Sequence, residues 1–325
     1  YYLSLSCYPV TFFSFFNILY SSYFDYYLNI NSYILTLFVS FLSGLFFYFI
    51  GKNSDKDIKF YDQLLLIFIV YFFISALISI PYYFSIYQFS LIDCFFESVS
   101  GLTTTGFSIL TNVRYFDPTL ILWRSSSQWI GGLFFLVFLV LIFSNFKNEF
   151  KLTHLVFNPN KGKKIFRETN TVIFKVFFIY LTLSALIFIL FTLSGIRLYN
   201  GLNLAMTVSS TGGFLPTNEI GEIIKTNSQK IIFLTTLLFG TLNIYFFYSL
   251  FYRINLIKKH YEDIFILALI LFISFLLIVL IKNSNAVEIM TSVVSSIGTS
   301  GLSSYNPPKN YNLFFIFLTI IGGSI

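Results

Sequence analysis

The sequence predicts an all-α polytopic membrane protein assembled from repeated units, each with two spanning helices and a re-entrant turn between them. Three observations predict it. Of 325 residues, 56% are hydrophobic and 10% charged, and the mean hydropathy is +0.79, more apolar surface than a soluble domain can bury. Several apolar runs of roughly 20 residues match the thickness of a bilayer core. Between them a short hydroxyl- and glycine-rich motif occurs three times: Thr103-Thr104-Thr105-Gly106-Phe107, Ser210-Thr211-Gly212-Gly213-Phe214 and Gly298-Thr299-Ser300-Gly301-Leu302.

Eight apolar segments follow in order. Leu3 to Tyr20 and Tyr33 to Ile50 form an N-terminal pair. Leu64 to Phe84, Leu120 to Phe143, Val172 to Leu193, Ile231 to Phe251 and Ile264 to Ile281 come next, and an eighth starts near Leu313. Charge orients them. Lys52, Lys56 and Lys59 lie in one loop; Lys147, Lys151, Lys161, Lys163, Lys164 and Arg167 in another; Arg253, Lys258 and Lys259 in a third. These alternate loops belong on one side, which the positive-inside rule makes cytoplasmic. The net charge of +6 is therefore topological, and no aromatic or motif-like company suggests nucleic acid.

Segments three to eight divide into three similar units: 61–150, 151–260 and 261–325, after an N-terminal pair within 1–60. Inside each unit a half-apolar stretch precedes the turn: Ile92 to Leu102, Gly201 to Ser209 and Val287 to Ser296. Each is too short to cross a bilayer and long enough to dip in and return. Such backbone is tolerated at membrane depth only where it lines a watery cavity or is packed in protein. The turns hold no titratable side chain. Their glycines can take φ > 0, and their hydroxyls can hold the loop by local hydrogen bonds. A short helix ending there would point its negative end at the cavity. Backbone carbonyls in that setting can replace the water around a monovalent cation such as K+. The absence of carboxylates argues against divalent ions. The expected architecture is thus a set of helix–pore-loop–helix units around a central pore.

The stretch Phe95-Phe96-Glu97-Ser98-Val99-Ser100-Gly101-Leu102-Thr103-Thr104-Thr105-Gly106 resembles the first pore loop of the Trk/Ktr/HKT potassium transporters. Gln128-Trp129-Ile130-Gly131-Gly132 resembles the QWxGG signature of that family's following helix. Leu242-Asn243-Ile244 sits where an Asn recurs, and Ile321-Gly322-Gly323-Ser324 looks like the opening of a Gly/Ser-rich break. The two helices ahead of the first unit suggest the TrkH-like branch. The resemblance implies potassium uptake, with Thr103, Thr104, Thr105 and Gly106, Ser210, Thr211, Gly212 and Gly213, and Gly298, Thr299, Ser300 and Gly301 as three walls of a K+ selectivity filter. It also implies an intramembrane gate loop beginning at Gly322, Gly323 and Ser324, a homodimer in the inner cell membrane, and a TrkA-like cytoplasmic nucleotide-binding regulatory subunit. K+ enters as the transported ion, with no cofactor in this chain. A four-sided filter needs a fourth wall, and at a spacing near 90 to 107 residues the next turn glycine would fall past Ile325. The chain is therefore expected to be a fragment that does not conduct alone, with both ends cut. A Na+-conducting or Na+-coupled relative of the same fold is the alternative.

Other residues carry weaker readings. Glu97 is either a partner for loop amides or a cation-attracting group at the pore mouth, since an intramembrane carboxylate is functional by default. Asp93 reads as a helix N-cap, Arg124 as snorkelling to headgroups, and Gly131 and Gly132 as permitting close helix packing. Lys161-Gly162-Lys163-Lys164 could dock acidic lipid or a regulatory subunit. Cys7 and Cys94 have no metal or disulfide spacing. His154 and His260 stand apart in loops, so no nucleophile–base grouping points to an enzyme. No signal-peptide pattern opens the chain. The 45 phenylalanines read as lipid-facing filler. A non-transporting membrane scaffold would leave the three turns unexplained.

Overall fold

The computed structural model describes residues 1–52, 60–144, 162–244, 246–247, 250, 261–281, 285–303 and 311–324. Every regular element among them is helical. The helices are α1 (Tyr2–Tyr23), α2 (Ile30–Gly51), α3 (Phe60–Tyr83), α4 (Leu91–Leu102), α5 (Pro118–Ser144), α6 (Gly162–Leu193), α7 (Leu198–Ser209), α8 (Asn227–Thr241), α9 (Tyr261–Leu280), α10 (Ala286–Ile297) and α11 (Asn312–Ser324). Six of them, α1, α2, α3, α5, α6 and α9, are long and apolar enough to cross a membrane. With the family relationship reported below, they make this a multi-pass membrane protein. The chain divides into two compact units, Tyr1–Asn145 and Phe146–Ile325.

In the first compact unit α1 and α2 pair along a seam of small residues. Ser4, Cys7, Ser14 and Ser21 are buried on α1, and Ser32, Thr36 and Ser40 on α2. A Cβ on Gly44 would stand 3.3 Å from the Cys7 Cβ, the close approach small residues permit where lipid supplies no hydrophobic drive. Hydroxyls there donate to carbonyls one turn back, as Ser14 does to Val10 and Thr36 to Ser32, and Thr11 bonds Ser40 across the seam at 2.9 Å. The large apolar side chains Phe12, Phe38, Phe68 and Phe72 are exposed, which suits lipid contact. Phenylalanine is not uniformly lipid-facing, however: Phe191, Phe214 and Phe233 are fully buried.

Helix α5 is buried on every side from Thr119 to Gln128, the sign of a central helix. It is fixed to α3 by Trp123, whose indole donates to the Ile78 carbonyl at 3.0 Å, and to α1 by an edge-on contact of Trp129 with Phe13. Near the α3–α4 loop Asp117 accepts from Asn29 and Thr119 and donates its N–H to Tyr87. Burial pushes the Tyr87 phenol above its ordinary range.

In the second compact unit one apolar cluster joins α6, α7, α8, α9, α10 and α11, with Phe191, Phe233, Ile289, Val293 and Leu302 fully buried. The sixth apolar segment, expected as one spanning helix to Phe251, is interrupted. Helix α8 stops at Thr241, and Leu242 is extended (φ −75°, ψ 143°). The Asn243 N–H beyond the break is taken by the Asp263 carboxylate at the start of α9, at 3.2 Å. Among the loop residues read as orienting charges, Lys56, Lys59, Lys147, Lys151, Lys161, Arg253, Lys258 and Lys259 lie outside the described residues, as do His154 and His260.

Candidate functional site

Each half-apolar stretch forms a helix of 12 residues: α4, α7 and α10. At about 1.5 Å per residue none reaches across a core of about 30 Å. Each ends at the repeated motif in the same way. The Thr104 N–H bonds the Gly101 carbonyl at 3.0 Å and the Thr105 N–H bonds Ser100 at 3.0 Å. Thr211 to Val208 and Gly212 to Thr207 repeat this at 3.2 and 2.9 Å, and Thr299 to Ser296 and Ser300 to Ser295 at 3.2 and 3.0 Å. This pair of bonds is a Schellman cap, which needs one left-handed residue just past the helix. Glycine is usual there, yet all three turns use threonine: Thr104, Thr211 and Thr299 have φ of 55°, 53° and 52°. A β-branched residue is an outlier in that region, at about 1–3 kcal/mol each. Two residues on, Gly106, Gly213 and Gly301 also have positive φ (81°, 84° and 65°), so the chain turns twice within four residues.

The caps consume the carbonyls of the last helical turn and leave those of the motif. Among the described residues no donor reaches the carbonyl of Thr103, Thr104, Thr105 or Gly106, nor those of Gly298 to Gly301. In the second turn the Ser210 carbonyl accepts from the Thr211 hydroxyl at 2.8 Å. The negative end of each helix dipole lies beside these oxygens. The side-chain hydroxyls point back: Thr103 and Ser210 donate to Val99 and Met206, one turn earlier. Past the turn, a hydroxyl of the 12-residue helix holds the outgoing segment in the first two repeats. Ser100 donates to the Phe107 carbonyl at 2.6 Å and Thr207 to the Phe214 carbonyl at 2.8 Å.

Glycines in the helices that follow let the turns sit close. A Cβ on Gly131 in α5 would meet the Leu102 carbonyl oxygen at 2.0 Å, and one on Gly322 in α11 would meet that of Ile297 at 2.0 Å. These oxygens hold the same position, one residue before the cap. In α8 a Cβ on Gly240 would meet Val208 O at 2.8 Å and Thr211 Cγ2 at 3.5 Å, while Thr241 Cγ2 lies against Gly298. Helix α8 is thus wedged between the second turn and the third. Close packing was the sequence expectation for Gly131. For Gly322, Gly323 and Ser324 the expectation was the opening of a loop; the structure has them helical, in the last turn of α11, with Gly322 used for packing.

Glu97 and Arg124 differ most from their separate readings. Arg124 is not snorkelling: it is 2% exposed, and its Nε donates to the Glu97 carboxylate at 2.8 Å. Glu97, fully buried, also accepts from the Ser108 hydroxyl and the Ile109 N–H, both at 3.0 Å, which is the loop-amide role. A Glu and an Arg inside the apolar stretches of one unit, each needing a partner in a bilayer, were the signal that could have joined them. Asp93 is not the N-cap either. Ser90 is, accepting from the Asp93 N–H at 3.2 Å and donating to its carboxylate at 2.7 Å.

Comparison with known proteins agrees with this architecture. The family model TrkH, cation transport protein, matches residues 33–261. An uncharacterized cation transporter of Methanocaldococcus jannaschii is 29% identical over 300 residues, 88% of this chain and 61% of the relative. The Trk system potassium uptake protein TrkH of Vibrio parahaemolyticus is 23% identical over 319 residues, 90% of this chain and 64% of the relative. TrkI of Halomonas elongata, a Trk system potassium uptake protein, is 32% identical over 142 residues, 43% of this chain and 29% of its own. The chain thus spans less than two thirds of each of these relatives. The crystal structure of the V. parahaemolyticus potassium transporter TrkH superposes with a TM-score of 0.74 over 99% of this chain and 69% of that one, at 19% identity, a likeness of fold.

Proposed function

This chain belongs to the TrkH family of cation transport proteins, and from that premise we propose that it is the pore-forming membrane subunit of a K+ uptake system of the inner cell membrane. Thr103–Gly106, Ser210–Gly213 and Gly298–Gly301 form three walls of its selectivity filter. The observation that carries the proposal is the run of carbonyl oxygens that meet no donor among the described residues, at matching positions past the ends of α4 and α10. The residues that carry them are exposed or half-exposed, apart from the buried Ser300. Oxygens held at a helix C-terminus and left unpaired suit a cation that must shed its water. Glu97 takes no part in the ring, because its carboxylate is spent on Arg124, Ser108 and Ile109.

In this proposal the subunit works as a homodimer beside a TrkA-like cytoplasmic regulatory subunit, and it conducts rather than catalyses. Rescue of a K+-uptake-deficient bacterium by the full-length protein tests it. Growth at low K+ is expected; no growth despite good expression contradicts it. Radiotracer uptake of Rb+ against Na+ in the same cells separates a K+ pathway from a Na+-conducting or Na+-coupled one.

A further inference from the structure

The three repeats differ in chemistry at two matching positions, the residue six before the helix cap and the fifth residue after it. In the third repeat these are Ser292 and Ser303, two hydroxyls 2.7 Å apart. In the second they are Leu204, inside the apolar cluster, and Leu215, packed against that cluster. In the first they are Glu97 and Ser108, 3.0 Å apart, and Arg124 of α5 closes the group by donating to both, at 2.8 and 2.9 Å. Phe107, Ser108 and Ile109 are then each pinned, to Ser100, to Glu97 and Arg124, and to Glu97.

We propose that the buried Glu97–Arg124 pair is a clamp that fixes the outgoing strand of the first wall and thereby sets discrimination between K+ and Na+. This rests on the filter reading above. Glu97 and Arg124 are positioning residues, since both are buried and spent on each other and on the segment after the turn. Carbonyl rings that prefer K+ must resist closing on the smaller Na+. Directional bonds on three consecutive residues, charge-assisted at Ser108 and Ile109 and neutral at Phe107, resist such closure. At the matched positions the other two repeats hold a neutral hydroxyl pair and two leucines, so discrimination is expected to be most sensitive at the first wall.

The test uses the full-length protein in a K+-uptake-deficient bacterium, with radiotracer Rb+ and Na+ uptake normalised to protein in the membrane. Glu97→Gln keeps the shape and removes the charge. It is expected to lower the Rb+ to Na+ ratio about tenfold, the scale of one charge-assisted hydrogen bond. Glu97→Asp keeps the charge and is expected to retain most of the ratio. Ser108→Ala leaves the ion pair intact but removes hydrogen bonds to two charged partners, and is expected to lower the ratio about tenfold, the scale of one charge-assisted hydrogen bond. A proportional fall of both ions at an unchanged ratio in Glu97→Gln and Ser108→Ala would overturn the clamp while leaving the pore reading standing. If Glu97→Gln fails to accumulate, Ser108→Ala decides: a lowered ratio supports the clamp, an unchanged one overturns it. Wild-type protein that takes up neither ion would sink the pore reading and the clamp together, before any variant is compared.

Discussion

Replacing Gly131 by alanine drives a methyl group into the backbone of α4. The new Cβ would lie 2.0 Å from the Leu102 carbonyl oxygen, 2.7 Å from its carbon and 3.1 Å from its Cα. Ordinary contact begins at 3.4 Å, so α4 and α5 must part by about 1.4 Å along that line. The obstacle is main chain and cannot rotate away. Overpacking of this kind costs about 1–3 kcal/mol or more. Thr103 follows Leu102 directly, so the displacement passes into the first turn. Gly322→Ala repeats the collision at Ile297, one residue before Gly298, whereas a Cβ on Gly221 meets nothing within 4 Å. In the full-length protein, Gly131→Ala and Gly322→Ala are expected to lower the melting temperature in detergent by roughly 2–4 °C per kcal/mol and to lose most Rb+ uptake. Gly221→Ala is expected to match wild type. A Gly131→Ala protein with wild-type melting and uptake would refute the close approach of α4 to α5.

Three further outcomes follow from the geometry. Thr104→Gly removes the left-handed threonine, so its melting temperature should rise by the equivalent of about 1 kcal/mol while its Rb+ to Na+ ratio falls; a drop in stability would show that the threonine is unstrained. Glu288→Gln opens the bond from Lys230 at 2.5 Å, but both side chains are about one-fifth exposed, so calorimetry should read a loss below about 1 kcal/mol. Asp117→Ala strips the acceptor from the buried Asn29 amide and Thr119 hydroxyl; a loss of about 1–3 kcal/mol at an unchanged ion ratio is expected, and a changed ratio would implicate that network in the filter.

Local pattern made much of the fold legible. Long apolar runs gave α1, α2, α3, α5, α6 and α9, and short half-apolar runs gave α4, α7 and α10 to within a few residues. What stayed hidden was decided by partners distant in sequence. The break after Thr241 lies inside an uninterrupted apolar run with no proline to mark it; only Asn243 hints at it, and its partner Asp263 is 20 residues on. Glu97 and Arg124, 27 residues apart, each announced the need for a partner in a bilayer, but their bond forms only where α4 packs against α5. The turn itself was half legible. Its glycines announced positive φ, but the helix caps depend on left-handed threonines that propensity disfavours, held there by bonds from the last helical turn.

The most direct measurement is the position of a K+-like heavy ion in the full-length protein, located by anomalous scattering from Tl+. If the proposed filter is right, the signal is bounded by backbone oxygens of Thr103 to Gly106, Ser210 to Gly213 and Gly298 to Gly301. Ion density elsewhere, with those oxygens turned to other partners, would contradict it.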